Sequence, residues 1–405
     1  MVKVKITDMD FQGRGVARVD NIVTFVDNAL KDEIVEIKIE KENKKFKEAK
    51  VIKIENESQN RITPQCPYYL KCGGCDLMHI NYNAQLKFKE DKVKYTLKKF
   101  ARIDPLIKPI IKADEIFNYR NKITFHINND IGFFKKKTND FVSVDKCLIC
   151  NKSINDLIDK LKKLDLKNIK QIIVRSSMTT LERMIIIECN KDIDTTAINK
   201  IDSVYLKIGN KYILKSGSKN IIEKMNDFNF YISPSSFFQV NTFQAIKLYE
   251  KVKECASLTN KENVLDLYCG TGTISIFLAK NAKKVYGIEI NEEAIMDANY
   301  NKEINNIKNV EFYAMNANQF LDKIKEKIDV LIVDPPRGGL DKKTVDSIIK
   351  LNPLKVVYVS CDVATLARDL NILKEKYDVL EITPVDMFPN TCHVESVCIL
   401  TRKNL

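Results

Sequence analysis

The strongest constraint on the fold is a pattern that begins near residue 244. From there to the C-terminus, short apolar runs such as NVLDLYCG, VYGIEI, VLIVDPP and VVYVSC alternate with longer stretches of helical period. Parallel strands need crossover connections, which are usually helices, so this alternation is typical of a mostly parallel sheet. The pattern predicts a doubly wound α/β domain over residues 231–405.

The first 56 residues carry a different pattern. The runs VKVKI, NIVTFV, EIVEIKIE and AKVIKI alternate apolar with polar residues, and turn residues such as Gly13 and Gly15 separate them. A period of two predicts half-buried strands. We therefore predict a small β-barrel at residues 1–56 and, between it and the α/β domain, an α+β middle domain at residues 57–230.

Positive charge is concentrated in the predicted middle domain. Residues 57–230 contain 32 Lys and Arg against 20 Asp and Glu, whereas the counts are 12 against 11 before this segment and 22 against 23 after it. A basic segment between near-neutral ones is typical of a surface that binds nucleic-acid phosphates. A solvated, lysine-rich surface without a partner is the alternative.

Composition also bears on location. The chain has no run of 18 consecutive apolar residues, and its N-terminal sequence MVKVKITDMD lacks the layout of a secretion signal. These features predict a cytoplasmic protein without a membrane-spanning helix. Because the cytoplasm is reducing, the 11 cysteines are expected to be metal ligands, nucleophiles or buried thiols rather than disulfides.

A glycine-rich turn follows the first strand of the predicted α/β domain. Gly270 and Gly272 precede an apolar helix, a position where the backbone can approach a nucleotide-like cofactor. Glu289 ends the next strand, where an acid can bind ribose hydroxyls. Asp334, in the motif DPPR, is predicted to point into the same crevice. Ser275 replaces the third fingerprint glycine, which weakens the alternative of a nicotinamide-dependent oxidoreductase.

A cysteine and a glutamate complete the predicted site. Cys361 follows the strand VVYVS and precedes a helix, so the helix dipole is expected to lower the pKa of its thiol. Such a thiol is a candidate nucleophile. Glu395, at the start of the last predicted strand, is the candidate general base. An ordinary surface acid is the alternative for this glutamate.

Three further thiols are gathered by the motif Cys66-x5-Cys72-Gly-Gly-Cys75. A fourth would have to come from elsewhere in the chain, and Cys147 or Cys150 is the nearest candidate. Four thiolates suit zinc or an iron–sulfur cluster, and the five-residue gap favours iron–sulfur because structural zinc sites use closer pairs. Buried free thiols are the alternative.

In their order along the chain, these motifs resemble one family. GRGVAR and FVDNALKDEIVEIKI resemble a TRAM domain, an OB-like RNA-binding barrel, and CPYYLKCGGCDLMH resembles a cluster motif. The segments FFQVN, DLYCGTGT, GIE, DPPR, VSCDVATLARDL and HVES follow in the order of a Rossmann-like methyltransferase domain. The chain is therefore identified as a member of the bacterial 23S ribosomal RNA (uracil-5-)-methyltransferases.

The resemblance implies a reaction and the residues that perform it. An S-adenosylmethionine-dependent enzyme would methylate carbon 5 of a uridine, with Cys361 adding to carbon 6 and Glu395 removing the carbon 5 proton. The implied cofactor contacts are Gln239, Tyr268, Gly270, Thr273, Glu289, Asn316 and Asp334. The implied ligands of a [4Fe-4S] cluster are Cys66, Cys72, Cys75 and Cys147.

The resemblance also implies a target. Relatives that modify tRNA are expected to lack the barrel and the cysteine motif, so we expect 23S rRNA as the partner, no DNA or membrane, and a monomeric enzyme. The same chemistry on tRNA and a non-catalytic RNA-binding protein are the alternatives. Asp362, where the family usually has Asn, and Asn390, where it usually has His, depart from the family pattern.

Overall fold

The computed structural model describes residues 1–136 and 138–403. Contacts divide the chain into two compact units, the first made of residues 1–92, 133–142 and 388–392, and the second of the remainder. No helix in the described part of the chain is long and apolar enough to cross a membrane. The division into three domains with the boundaries given above stays a prediction.

The first unit contains a six-stranded sheet in the order β1-β5-β6-β4-β3-β2. Its strands are β1 Val2–Lys5, β2 Asp8–Met9, β3 Gly15–Val19, β4 Ile22–Asp27, β5 Ile34–Glu42 and β6 Phe46–Asn56. The two edge strands are β1, which pairs with β5, and β2, which pairs with β3. Because β1 and β2 are consecutive in the chain, the two edges of the sheet come close together and the sheet curls into a barrel. The predicted alternation is present, since side chains such as Val4, Ala17 and Ile37 fill the interior.

A single helix leads from the first unit into the second. Helix α1, Tyr82–Thr96, continues as one π-helical segment, Leu97–Ala101. Val93, Leu97 and Ala101 are buried in the core of the second unit. The apolar residues of this stretch therefore belong to the α/β core even though they precede the predicted α/β domain by more than a hundred residues.

The middle of the chain forms a seven-stranded sheet in the order β10-β9-β8-β11-β12-β13-β14. Its strands are β8 Lys122–Ile127, β9 Ile131–Phe134, β10 Phe141–Ser143, β11 Ile169–Ser176, β12 Arg183–Cys189, β13 Ser203–Ile208 and β14 Lys211–Gly217. The short helices α2 Lys152–Asn155 and α3 Ile158–Leu161 and the hairpin β15 Ile221–Met225 and β16 Phe228–Ile232 accompany it. Strands mixed with short helices give the α+β character expected of this segment.

The C-terminal part forms an eight-stranded sheet in the order β19-β18-β17-β20-β21-β23-β22-β7. Its strands are β7 Leu106–Ile107, β17 Asn263–Leu267, β18 Lys284–Glu289, β19 Val310–Ala314, β20 Val330–Val333, β21 Lys355–Ser360, β22 Tyr377–Val385 and β23 Glu395–Arg402. The connecting helices are α4 Thr242–Ala256, α5 Thr273–Ala279, α6 Glu292–Ile304, α7 Ala317–Leu321, α8 Lys342–Leu351 and α9 Val363–Leu373. Strand β7, from the segment assigned to the middle domain, pairs with β22.

The strand order places a crevice at a defined position. Strands β19, β18, β17, β20 and β21 are parallel, and their direction of progression reverses between β17 and β20. Ligands of open α/β sheets bind outside the carboxyl ends of the strands at such a reversal. The predicted α/β fold is confirmed, because strands such as β17 and β20 are the buried apolar runs that a sheet covered on both faces requires.

Candidate active site

The carboxyl ends of the parallel strands bring several predicted residues to one edge of the sheet. Leu267 pairs with Ile288 on one side and with Val333 on the other. The residues that follow these positions, Tyr268, Glu289 and Asp334, therefore lie at the same level on neighbouring strands. The backbone N–H of Asp334 donates to the carbonyl oxygen of Leu267 at 3.4 Å, which ties the two strand ends together at the crevice.

An antiparallel insertion brings the two candidate catalytic residues together. Strand β23 pairs with β21 in a register that sets Val359 opposite Val397 and Ser360 opposite Ser396. Continued one residue past the end of β21, this register brings Cys361 level with Glu395, and the charge of Glu395 acts on the Cys361 thiol. The thiol is half-buried and Glu395 is buried, so the candidate nucleophile and the candidate base are both largely screened from solvent.

Burial controls the protonation of the carboxyl groups at this edge. Burial and the negative charge of Asp334 raise the pKa of Glu395 to about 8, against the opposing charge of Arg337. Burial and the charge of Asp266 raise the pKa of Asp334 to about 7. At neutral pH the Glu395 carboxyl group is therefore mostly protonated and must lose its proton before it can act as a base.

The prediction that the helix dipole lowers the pKa of Cys361 is wrong. Burial, followed by the charges of Glu395 and Asp334, raises the pKa of this thiol to about 11. Helix α9 begins only at Val363, and the Asp362 carboxylate accepts hydrogen bonds from the backbone N–H groups of Ala364 at 2.9 Å and Thr365 at 3.0 Å. The Asp362 carboxylate thus caps the positive end of helix α9, and its negative charge offsets the effect of the helix dipole on the thiol.

The glycine-rich turn adopts the conformation for which glycine is needed. Gly270 and Gly272 have φ values of +54° and +79°, and a Cβ atom on Gly272 would lie 2.5 Å from Phe312 Cζ. Tyr268 also has a positive φ, of 66°, which is unusual for an aromatic residue and marks local strain of the kind found at ligand-binding loops. The turn leads directly into helix α5 at Thr273.

The binding role of the remaining predicted cofactor contacts stays a prediction. Asn121 holds the Gln239 segment, because its side-chain amide donates to the carbonyl oxygen of Gln239 at 2.9 Å. The Thr273 hydroxyl donates to the Tyr249 hydroxyl at 3.3 Å. Asn316 follows β19 and caps helix α7 by accepting from the backbone N–H of Asn318 at 2.9 Å.

Sequence reasoning assigned no role to Asp266, which the structure places beneath the crevice. This residue is fully buried, and burial raises its pKa to about 7. The Ser275 hydroxyl donates to its Oδ2 at 2.6 Å, whereas its Oδ1 has no hydrogen-bond partner among the described residues. The serine that breaks the dinucleotide fingerprint is therefore the partner of a buried carboxyl group, a pairing that the spacing of Asp and Ser across the turn could have suggested.

The predicted cluster ligands are not arranged as a metal site. Cys66, Cys72 and Cys75 belong to the first unit and Cys147 to the second, and all four are half-buried. Within residues 1–136 and 138–403, no group of three or more His, Cys, Asp or Glu side chains is placed to hold a metal ion. The arrangement of these side chains therefore does not support the predicted cluster.

The fold and the site define a class of protein. An open parallel sheet with a glycine turn, an acid ending the next strand and a crevice at the strand reversal characterise α/β enzymes that bind nucleotide-like cofactors. Residues 81–403 match the tRNA (uracil-5-)-methyltransferase family, and residues 1–52 match the TRAM domain. The chain belongs to this family of S-adenosylmethionine-dependent RNA methyltransferases, which confirms the predicted enzyme class and the N-terminal TRAM barrel.

Full-length relatives support this assignment. The chain is 39% identical to an uncharacterized RNA methyltransferase of Caldanaerobacter subterraneus subsp. tengcongensis, over 99% of this chain and 98% of the relative. It is 38% identical to another uncharacterized RNA methyltransferase, from Clostridium acetobutylicum, over 99% of this chain and 96% of that one. Both alignments extend over the barrel, the middle segment and the methyltransferase domain.

A solved structure is similar over nearly the whole molecule. The tRNA (uracil-54, C5)-methyltransferase of Pyrococcus abyssi, solved with S-adenosyl-L-homocysteine, superimposes with a TM-score of 0.83 at 30% identity, covering 98% of this chain and 99% of that chain. The expectation that tRNA-modifying relatives lack the barrel is therefore wrong for the Pyrococcus abyssi enzyme. The presence of a barrel does not by itself distinguish rRNA from tRNA as the substrate.

Proposed function

We propose that the protein methylates carbon 5 of a uridine in 23S rRNA, with Cys361 as the nucleophile and Glu395 as the general base. The observation that supports this most is the register of β21 and β23, which, continued one residue past the end of β21, brings Cys361 level with the buried Glu395. The crevice beside them, ending in Asp334, lies where an α/β fold binds its cofactor.

The reaction follows from the chemistry of uracil. The Cys361 thiolate adds to carbon 6, and the electron pair of the 5,6 double bond gives carbon 5 enolate character. S-adenosylmethionine, when bound, supplies the methyl group that carbon 5 receives. The Glu395 carboxylate then removes the proton from carbon 5, the double bond re-forms, and the thiolate is released from carbon 6.

The electrostatics of the site favour a slow reaction at low pH. With a thiol pKa of about 11 and a carboxyl pKa of about 8, both groups must lose protons before the steps assigned to them. The positive charge of Arg337 lowers the pKa of both the Cys361 thiol and the Glu395 carboxyl group, against the larger effect of burial. We therefore expect turnover to rise with pH across the range from 6 to 9.

The choice of RNA rests on the family resemblance and on charge. The basic segment at 57–230 fits a surface that holds a folded RNA while one base is turned out into the crevice. Transfer RNA is the second candidate, favoured by the full-length similarity to the Pyrococcus abyssi enzyme. A cytoplasmic location and a monomeric state stay predictions.

Methyl transfer from labelled cofactor tests the proposal. Unmodified 23S rRNA and tRNA transcripts are incubated with the wild type and with the variants Cys361→Ala, Glu395→Gln and Cys189→Ala. Cys189 is a buried thiol on β12 and serves as the control. The methylated nucleosides are identified by mass spectrometry. We expect 5-methyluridine in 23S rRNA with the wild type and the control only. Glu395→Gln is expected to accumulate a covalent RNA–protein adduct on denaturing gels, because the proton on carbon 5 can no longer be removed.

Two outcomes would contradict parts of the proposal. Methylation of tRNA alone would retain the chemistry and replace the substrate. Full activity of Cys361→Ala, or no methylation of either RNA by folded wild-type protein, would refute the mechanism.

The [4Fe-4S] cluster on Cys66, Cys72, Cys75 and Cys147 stays a prediction from the resemblance. Iron and acid-labile sulfide are measured after anaerobic purification, with Cys72→Ala compared against the Cys189→Ala control. Four iron atoms per chain in the wild type and in Cys189→Ala, with their loss in Cys72→Ala, would support the cluster. Stoichiometric zinc, or thiols that all react freely without bound metal, would refute it.

A further inference from the structure

The end of helix α1 and the π-helical segment that follows it have one buried face and one charged face. Residues 93–102 contain four Lys and Arg and no Asp or Glu. Val93, Leu97 and Ala101 recur every four residues and are buried in the α/β core, so the opposite face is turned to solvent. Six exposed residues form this face, named here the basic–aromatic surface: Lys94, Tyr95, Lys98, Lys99, Phe100 and Arg102.

The positive charge of the basic–aromatic surface is not neutralised by the protein itself. Earlier on helix α1, Lys87 forms a salt bridge with Asp91 at 2.7 Å. In the part of the chain that the structure describes, no carboxylate forms a salt bridge with any of the four cations of the basic–aromatic surface. Like charges that are neighbours on a helix repel each other, so a bound polyanion would stabilise this arrangement.

Two aromatic rings lie exposed among these cations. Tyr95 and Phe100 keep 53% and 52% of their surface exposed. The Lys99 Nζ lies 5.4 Å from the centroid of the Tyr95 ring and 5.3 Å from that of the Phe100 ring. The helix dipole favours lysines in a last helical turn, but it does not account for the exposed rings. Rings beside cations suit unpaired nucleotides, because bases stack on the rings while cations bind the phosphates.

The backbone of this segment also departs from a regular helix. Leu97–Ala101 is π-helical, and Arg102 ends it in the left-handed region with a φ of 53°. π-Helical turns are rare and are frequent at functional sites. Glycine or asparagine is the usual residue in a left-handed position after a helix, so an arginine there favours a role for its guanidinium group.

The basic–aromatic surface is joined to the helix that follows the candidate nucleophile. Lys374, which ends helix α9, donates from its Nζ to the carbonyl oxygen of Ala101 at 2.8 Å. Helix α9 begins two residues after Cys361 and has 11 residues, which corresponds to a length of about 16 Å. A folded RNA extends well beyond one turned-out base, so it can contact both places at once.

We propose that the basic–aromatic surface binds the RNA substrate outside the crevice. Unpaired bases stack on Tyr95 and Phe100, and the four cations bind the phosphates on either side. The family to which the chain belongs acts on RNA, which favours RNA over an anionic membrane as the partner of this surface. The inference rests on the proposed function for the class of substrate, and it does not depend on which RNA is methylated.

Salt dependence of RNA binding tests the cations. The affinity of the wild type, Lys98→Gln and Lys350→Gln for the 23S rRNA and tRNA transcripts is measured at several KCl concentrations. Lys350 is an exposed lysine in the last turn of helix α8 and controls for the loss of one charge at a helix end. We expect Lys98→Gln to reduce the slope of log affinity against log salt by about 0.7 to 0.9 and to weaken binding about five- to eightfold at about 0.1 M salt. Lys350→Gln is expected to bind like the wild type.

A pair of substitutions at Tyr95 tests the stacking. Tyr95→Leu removes the ring but keeps an apolar side chain, and it is expected to weaken RNA binding about fivefold or more. Tyr95→Phe keeps the ring and is expected to bind RNA like the wild type. Because Tyr95 and Lys98 are exposed, the melting temperature and the affinity for S-adenosylmethionine are expected to stay unchanged in every variant.

Unchanged RNA binding in either Lys98→Gln or Tyr95→Leu would overturn the proposal. Binding of the wild type but not of Lys98→Gln to phosphatidylglycerol vesicles, with equal RNA binding by both, would instead assign the surface to a membrane. The proposed function fails separately. Wild-type protein that binds RNA through this surface but methylates none would refute the proposed function and leave the surface standing, whereas methylation with no effect of these variants would do the reverse.

Discussion

At the scale of single residues, Asp362 places a negative charge beside the candidate nucleophile Cys361. Its carboxylate caps helix α9 through the backbone N–H groups of Ala364 and Thr365, and its charge contributes to the raised pKa of Cys361. Asparagine caps a helix about as well as aspartate does but carries no charge. A single substitution therefore separates the structural role of this residue from its electrostatic one.

We predict that Asp362→Asn lowers the pKa of the Cys361 thiol below about 11 without unfolding the helix. The thiolate is then more populated at a given pH, so alkylation by iodoacetamide, followed by mass spectrometry of the Cys361 peptide, accelerates between pH 8 and 10. Asp341→Asn removes a charge from the cap of helix α8 and is the control. An unchanged or slower reaction of Asp362→Asn would contradict the prediction.

At the scale of elements, the turn between β17 and α5 tolerates no side chain at Gly272. We predict that Gly272→Ala lowers the free energy of unfolding by about 2 to 4 kcal/mol, because the left-handed backbone and the contact with Phe312 both become unfavourable. Gly209 shares the positive φ, at +59°, but has nothing within 4 Å of an added Cβ. Gly209→Ala is therefore expected to cost only about 1 kcal/mol. Equal losses in urea unfolding would refute the steric account.

Helix α1 holds the segment that precedes the candidate base. The Gln85 side chain accepts from the backbone N–H of Asn390 at 2.9 Å and donates to its Oδ1 at 3.2 Å. Lys89 Nζ donates to the carbonyl oxygen of Phe388 at 3.0 Å. Asn390 has a positive φ of 67°, and the chain continues from it into β23 at Glu395, so these bonds hold a left-handed turn just before the candidate base.

We predict that Gln85→Ala lowers kcat for methyl transfer about 10- to 100-fold with little change in cofactor affinity, because small displacements of a catalytic group are costly. The exposed Gln59→Ala is the control. A covalent adduct with RNA should still form and should persist longer than in the wild type, since proton removal is the impaired step. A fall in stability with unchanged kcat at a temperature where the protein is folded would show that Gln85 is merely structural.

At the scale of the whole molecule, buried carboxyl groups make stability depend on pH. The pKa values of Asp266 and Asp334 are raised to about 7 and that of Glu395 to about 8. Between about pH 4 and pH 8 the folded protein thus keeps protons that the unfolded chain has released. The contribution of these three groups to the free energy of unfolding therefore falls as pH rises through this window and levels off above it.

We predict that Glu395→Gln reduces the fall of the free energy of unfolding with pH by up to about 1.4 kcal/mol per pH unit, which is the amount that one titrating group contributes. The effect is measured by urea unfolding at pH 6 and pH 9 of the wild type, Glu395→Gln and Glu375→Gln, an exposed-site control. The change in stability between the two pH values is compared among the three proteins, so the contributions of all other titrating groups cancel. The same change with pH in all three proteins would contradict the raised pKa of Glu395.

Much of the architecture is local in origin and could be predicted. The alternation of apolar runs with helical stretches predicts the α/β domain, the period of two in the first 56 residues predicts the barrel, and the turn at Gly270 and Gly272 marks the cofactor crevice. These features depend on neighbours in sequence, because hydrophobic period and turn conformation are properties of short segments. The order of the motifs likewise indicates Cys361 and Glu395 as candidates.

Only the tertiary structure decides how those residues meet and how they ionise. The register that brings Cys361, just past the end of β21, level with Glu395 depends on β23 inserting between β21 and β22, a non-local pairing that no short pattern encodes. The raised pKa of Cys361 likewise depends on burial and on the charges of Glu395 and Asp334, residues that are distant from it in sequence. Sequence alone determines which groups the chain carries, and three-dimensional packing determines their solvation and their neighbours, which set their chemistry.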